Sequence, residues 1–295
     1  MHDANRWMGE AIDEHHEGRM ESPARVKIDL ADSQLIFTTG GLKGSWYGYR
    51  SYGFATGPSA HQVVVVHDEM SGVVRAVSVG NELGPRRTGA IGAVAAHALA
   101  SLRATTMAII GTGRQALTQL WAISAVRPLE DIKVFSRDEN RRNAFVQRAA
   151  RVSNAPCRSV SSAREALRGA DIVILATTSS TPVIDTQWLE TNAYVTTLGP
   201  KQFGHSEFAS DLTTVAATIV TDSLAQIDAY DPPSVLFETG QRARVVSLGR
   251  IRANRTEPLT EGITVFFSVG LAGTEVYLLD QLANSVCPFR RTGSS

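Results

Sequence analysis

The run TTMAIIGTGRQALTQLWAISAVRPLEDIKVFSRD, from Thr105 to Asp138, sets a glycine turn between an apolar strand and a helix, an arrangement able to hold a pyrophosphate. Gly111 permits the sharp turn after MAII, Gly113 lets backbone amides approach the anion, and Ala116 stands where helix packs on strand. The N-terminus of the following helix adds favourable partial charge. GxGxxA spacing alone also occurs in structural turns of unrelated parallel sheets. Here strand, turn, helix and a second strand ending at Ser136 follow in the order a dinucleotide site requires, within about thirty residues. The contacts expected in this turn are Gly111, Thr112, Gly113, Arg114, Gln115 and Ala116.

The end of the second strand selects the dinucleotide. An acidic residue there would bond both ribose hydroxyls of NAD(H), but the chain has Ser136 and Arg137, with Arg141 and Arg142 one turn on. A hydroxyl and a planar guanidinium suit a 2′-phosphate, so NADP(H) is favoured over NAD(H). Two alternatives stay open. A strand end two residues later would bring the Asp138 carboxylate to the ribose, and Arg141 and Arg142 each also fit a solvated helix face.

These residues need a scaffold, and the chain changes grain along its length. Residues 26–80 read as short strands and turns (VKIDL, QLIFTT, WYGYRSYGF, HQVVVVHDEMSGVVRAVSV), with a hairpin turn over Met70–Gly72. From Thr88 the period is helical through TGAIGAVAAHALASL, whose small residues allow close packing against a neighbour. Strands and helices then alternate: TMAIIG, DIKVFSR, PCRSV, DIVILATT, AYVTTLG, ATIVTDS and ITVFFSVG, with SSAREALRGA among the helices. Continuous apolar strands between amphipathic helices predict a parallel sheet covered on both faces. The expected fold class is α/β, a Rossmann-type doubly wound parallel sheet plus a smaller α+β domain. The expected boundaries put residues 1–100 and a C-terminal helix, 270–295, in the smaller domain and 101–269 in the Rossmann domain.

Composition excludes other classes. Lysine plus arginine equals aspartate plus glutamate at 29 each, so no global field points to nucleic acid or to an acidic membrane face. Cys157 and Cys287 lack CxxC spacing, and His15 and His16, being adjacent, point to different sides of a helix; neither a disulfide framework nor a metal site is expected. No apolar run is long enough for a membrane span and none reads as a signal peptide, so a cytoplasmic protein with a small-molecule partner is expected.

RRTGAIGAVAAHALA, the glycine-turn run, GADIVILATTSSTPVID with WLETNAYVTTLG, and ITVFFSVGLAG together resemble the ornithine cyclodeaminase and mu-crystallin family over nearly the whole chain. The resemblance implies a homodimer, with a Rossmann domain beside a substrate domain whose strands help form the dimer. It implies hydride chemistry at the α-carbon of an amino, imino or keto acid: cyclodeamination, amino acid dehydrogenation or ketimine reduction. Arg87 in PRRTG matches the family's carboxylate-binding arginine and Arg25 in SPARVKID its earlier one. Further cofactor contacts are expected from Thr177, Thr178 and Ser179 after DIVILA and from Gly199 after AYVTTL.

Two departures from the family bear on chemistry. Arg50 stands where a lysine is common, and a guanidinium is a poor proton relay. Lys201 stands where the ornithine-type enzymes have an amine-facing aspartate. Among Arg25, Arg50 and Arg87, a desolvated Lys201 is expected to be the general acid or base, with Arg50 beside the reacting groups; the alternative is a Lys201 that faces solvent or touches the cofactor phosphate. A cationic wall repels a diamine and favours an imine or keto acid with extra negative charge. Tyr47, Tyr49 and Tyr52 are candidates for the pocket wall or for simple packing, and His205 and Glu207, just beyond Lys201, are expected on a surface loop, with support of the site's own residues as the alternative. NRWMGEAIDEHHEGRM resembles the family's first helix, so the family's preceding strand is expected to be absent. The expected activity is an NAD(P)-dependent imine reductase or amino acid dehydrogenase, with a cyclodeaminase or a non-catalytic cofactor-bound binding protein as alternatives.

Overall fold

The apolar strands after residue 105 build a parallel sheet in the computed structural model, which describes residues 1–53, 61–254 and 261–286. Cys287 and the remainder of the expected C-terminal helix lie outside the described residues. The chain divides into two units, Met1–Asn5 with Thr88–Gly270 and Arg6–Arg87 with Leu271–Ser295.

In the first unit eight strands are parallel throughout, with Thr106–Ile110 between Asp131–Phe135 and Ile172–Leu175. Cys157–Ser159 lies beyond Asp131–Phe135, while Tyr194–Thr197, Thr264–Phe267, Thr218–Thr221 and Val245–Ser247 extend the other side. The strand order therefore reverses at Thr106–Ile110, and ligands bind outside the carboxyl ends at such a reversal. Both faces are covered: on one, a core joins Ile110, Val173, Leu175, Val195 and Phe267 to Leu167, Phe208 and Leu212, and on the other Met107, Ile109, Ile172, Ile174 and Phe266 are fully buried. The small-residue helix is Leu83–Leu99 and packs closely on Arg114–Ser124, since a Cβ on Gly89 would lie 2.6 Å from Thr118 O and one on Gly92 1.9 Å from Gln119 Oε1. It starts five residues before Thr88 because proline is tolerated in a first helical turn, as Pro85 is here. Arg87 is consequently one turn inside the helix.

In the second unit six antiparallel strands form one sheet, in which Gln34–Leu42, Trp46–Gly53, Gln62–Asp68 and Val74–Gly80 are successive neighbours. The hairpin turn after Asp68 carries Gly72 at φ 70°. Strand alternation sorts the side chains into two faces. Ile36, Arg50, Tyr52, Val64 and Val66 share the face covered by the Thr274–Val286 helix, while Phe37, Tyr47, Tyr49, Val77 and Val79 share the other. Tyr47 and Tyr49 are thus on the opposite face from Arg50, whereas Tyr52 is on its face. Gly40 and Gly48 are cross-strand partners under that helix. A Cβ on Gly40 would lie 2.6 Å from Gly273 Cα and one on Gly48 2.5 Å from Val276 Cγ1, so only glycine lets the start of the helix sit this near the sheet. Arg75 bonds Asp280 on the same helix and Asp68 on the sheet at 2.9 and 2.6 Å. No described helix is long and apolar enough to cross a membrane.

Candidate active site

At the strand-order reversal a crevice of about 480 Å³ is lined by Ile110–Gly113, Phe135–Asp138, Arg141 and residues 176–179 and 181–183. Gly111 there has φ 114° and would carry a Cβ 2.2 Å from Ala176 O, so both backbone conformation and space demand glycine. Gly113 has no such internal reason. Its φ is −76°, and a Cβ built on it meets nothing within 4 Å, because it would project into open space. No side chain caps the helix that begins at Arg114, and a helix N-terminus of this kind can take an anion. Ala116 is fully buried, Gln115 half-buried and Arg114 exposed.

The arginines at the second strand end separate by role. Arg142 Nη1 donates to Ser136 O at 2.6 Å, and its guanidinium lies 5.7 Å from the Phe135 ring, so it closes the strand end. Arg137 and Arg141 are exposed and line the crevice. Asp138 caps the helix that follows, its carboxylate accepting from Arg141 N at 3.1 Å. The strand ends at Phe135, and Ser136 Oγ donates to Asp138 O at 3.2 Å and accepts from Thr112 Oγ1 at 3.5 Å.

Across the carboxyl ends of the next strands a buried carboxylate does what the sequence did not announce. Glu207 is fully buried rather than on a surface loop; Oε1 accepts from Gly199 N at 2.6 Å and Oε2 from Thr177 N and Oγ1 at 2.9 and 2.8 Å. Burial pushes its carboxyl up, opposed by Lys201 and by these donors. Gly199 makes room, since a Cβ there would lie 2.3 Å from Thr177 O and 2.4 Å from Glu207 Oε2. Ser179 N donates to Thr177 Oγ1 at 3.2 Å, and Thr178 is exposed. Lys201 does not face solvent: it is 3% exposed, and Nζ donates to Gly199 O at 2.6 Å and to Ser268 O at 3.2 Å. It belongs to a two-strand hairpin, Lys201–Gln202 with His205–Ser206, too short to read from periodicity. His205 is exposed, as expected.

The other unit brings two of the expected arginines onto one carboxylate. Arg50 Nη1 and Arg87 Nε both donate to Glu275 Oε1, the latter at 2.6 Å. Arg50 Nε donates to Gln62 Oε1 at 3.0 Å, and its guanidinium lies 3.8 Å from the Tyr52 ring centroid. Gly84 leaves the space, since a Cβ there would be 3.0 Å from Arg50 Nη2. Burial alone would raise the Glu275 carboxyl, but Arg87 and then Arg50 bring it down to about 2, so it is ionised at any working pH. Arg25 is half-buried just ahead of the Val26–Asp29 strand. Sequence reading missed Glu275, which lies 225 residues from Arg50 and 188 from Arg87 and has no spacing signal.

A sequence model of the ornithine cyclodeaminase/mu-crystallin family matches residues 4–287. Proteins of Rhizobium meliloti and Sinorhizobium fredii are 33% and 32% identical over 57% and 63% of this chain, and the matched regions cover 51% and 57% of their own lengths. The chain thus spans little more than half of each. The Δ1-pyrroline-2-carboxylate reductase of Bacillus thuringiensis subsp. konkukian is 32% identical over 75% of this chain and 69% of its own. Among solved structures, the Thermococcus litoralis Δ1-pyrroline-2-carboxylate reductase in complex with NADH and L-proline gives a TM-score of 0.85 at 24% identity, covering 96% of this chain and 91% of that one. An archaeal alanine dehydrogenase dimer with bound NAD gives 0.86 at 22% identity, covering 100% and 93%. At these identities the two structures establish the shared fold. The family match over nearly the whole length, on a doubly wound sheet with its glycine crevice at the strand-order reversal, shows that the chain belongs to the ornithine cyclodeaminase/mu-crystallin family.

Proposed function

We propose that the protein is an NAD(P)-dependent oxidoreductase acting at the α-carbon of an imino or amino acid, as an imine reductase or amino acid dehydrogenase. The observation that carries this reading is the presence in one chain of a nucleotide crevice and a buried two-guanidinium cluster. The crevice fits a dinucleotide because the space a Cβ at Gly113 would take lies open beside uncapped helix amides. Arg137, Arg141 and Ser136 support NADP(H), and Asp138, which also lines the crevice, has one carboxylate oxygen engaged as the cap of the following helix. Thr177, Thr178, Ser179 and Gly199 border the same carboxyl edge and are proposed to contact the cofactor. A bound nicotinamide supplies a hydride to the α-carbon or takes one from it.

The chain's own residues supply the rest. Arg87, with Arg50 and Arg25, grips the substrate carboxylate and fixes the face presented. A guanidinium is a poor proton relay, so the part proposed for Arg50 is electrostatic. Lys201 is proposed to donate the proton at the substrate nitrogen; its Nζ is buried and held by Gly199 O and Ser268 O. Removing Lys201 as methionine is expected to lower kcat about 10²-fold and to remove the alkaline limb of the pH–rate profile; an identical profile excludes it. The deciding assay follows absorbance near 340 nm with NADPH and NADH against cyclic imines and keto acids plus amines. Turnover preferring NADPH is expected. Ammonia release without net absorbance change would make the protein a cyclodeaminase, and no turnover a binding protein.

A homodimer in a cytoplasmic setting completes the reading. The sheet face away from the Thr274–Val286 helix exposes Val26, Ile28, Tyr47, Val77 and Val79, more contiguous apolar surface than single scattered residues. A second copy is the proposed cover, and light scattering should give twice the chain mass, with Val77→Lys plus Val79→Lys giving monomer. A monomeric parent protein overturns the dimer.

A further inference from the structure

Counting arginines suggests a strongly cationic substrate pocket, yet the structure seats a buried carboxylate on two of them. Glu275 Oε1 already accepts from Arg50 Nη1 and Arg87 Nε, and Glu275 is 1% exposed. Gly40 and Gly48 let the helix start that carries it sit close on the sheet, and Tyr52 and Gln62 hold Arg50 beside it. We infer that Glu275 is a positioning and specificity-determining residue that sets the charge of the substrate site and makes it select a monoanionic imino acid over one with a second carboxylate. The inference rests on the proposed carboxylate site and narrows its substrate class.

The physical reason is competition in a region of low dielectric. One substrate carboxylate shares the guanidiniums with Glu275; a second would meet a buried like charge. Because the carboxyl titrates at about 2, protonation cannot relieve that repulsion in the working range. On this inference the pocket's own negative charge is supplied by the protein, and a substrate with extra negative charge is disfavoured.

The test uses the cofactor-loaded protein and two planar probes, pyrrole-2-carboxylate and pyrrole-2,5-dicarboxylate, with binding followed by calorimetry. The parent should prefer the monoanion by about tenfold or more. Glu275→Gln should move the mono-to-dianion ratio roughly ten- to hundredfold toward the dianion, and Glu275→Asp should keep the parent ratio. Arg50→Gln should weaken monoanion binding at least about tenfold. The double variant Arg50→Gln with Glu275→Gln restores the net charge and should return the ratio toward the parent, an outcome that loss of structure alone cannot produce. Should Glu275→Gln fail to fold, Arg50→Gln and the double variant carry the test. A ratio unmoved in folded Glu275→Gln, or a double variant that keeps the dianion shift, overturns the inference and leaves the carboxylate site standing. A parent that binds neither probe overturns the proposed site and this inference with it.

Discussion

Methionine in place of Arg87 is expected to lower kcat/KM for an imino acid by about 10²–10³-fold, a loss of about 3–4 kcal/mol, while the Kd for the dinucleotide stays within about twofold of the parent. The size follows from what is removed. A charged, planar donor that holds a carboxylate in a desolvated setting contributes more than a surface ion pair, and its loss also leaves the substrate's approach unfixed. Methionine keeps most of the buried stem volume, and Glu275 retains Arg50, so the fold should survive; unfolding by denaturant checks that point. Lysine at the same place should recover only a small part of the rate, because an ammonium restores charge and not the fork. An unchanged kcat/KM in folded Arg87→Met would remove the carboxylate grip, and the proposed reaction with it.

A methyl group added to Gly111 is expected to cost about 3 kcal/mol or more of stability and to weaken dinucleotide binding by more than about 100-fold. Its Cβ would stand 2.2 Å from Ala176 O and 2.8 Å from Ala176 C, backbone atoms of the extension of a neighbouring strand that cannot turn aside. The position also has φ 114°, where L-residues are strained. Gly113→Ala is the informative contrast. Its backbone is already extended and its Cβ would meet no protein atom, so stability should change by less than about 1 kcal/mol, while dinucleotide affinity should fall at least about tenfold. If Gly113→Ala binds the dinucleotide as well as the parent, the open space beside the helix is not where the pyrophosphate lies. Equal thermal stability for Gly111→Ala and the parent would show that the turn can relax in a way the packing argues against.

The glycine turn and the elements on either side of it, which depend on neighbours along the chain, were legible in the sequence. Strand MAII, the glycine turn, the helix after it and the strand ending near Ser136 are read from period and turn chemistry, because a residue's φ preference and its apolar spacing are local properties. The parallel order of the larger sheet and the antiparallel grain of residues 26–80 follow for the same reason. What tertiary structure alone settled is which charges meet and which are buried. Arg142 closes a strand end while Arg137 borders the crevice, although both read alike in the sequence. Glu207 and Glu275 look like ordinary solvated acids and are instead fully enclosed, one across the ends of two strands and the other, from near the end of the chain, against two guanidiniums from its first third. Burial and ion pairing arise from chain segments that fold together in space, and nothing in the spacing of residues 188 or 225 positions apart encodes their encounter.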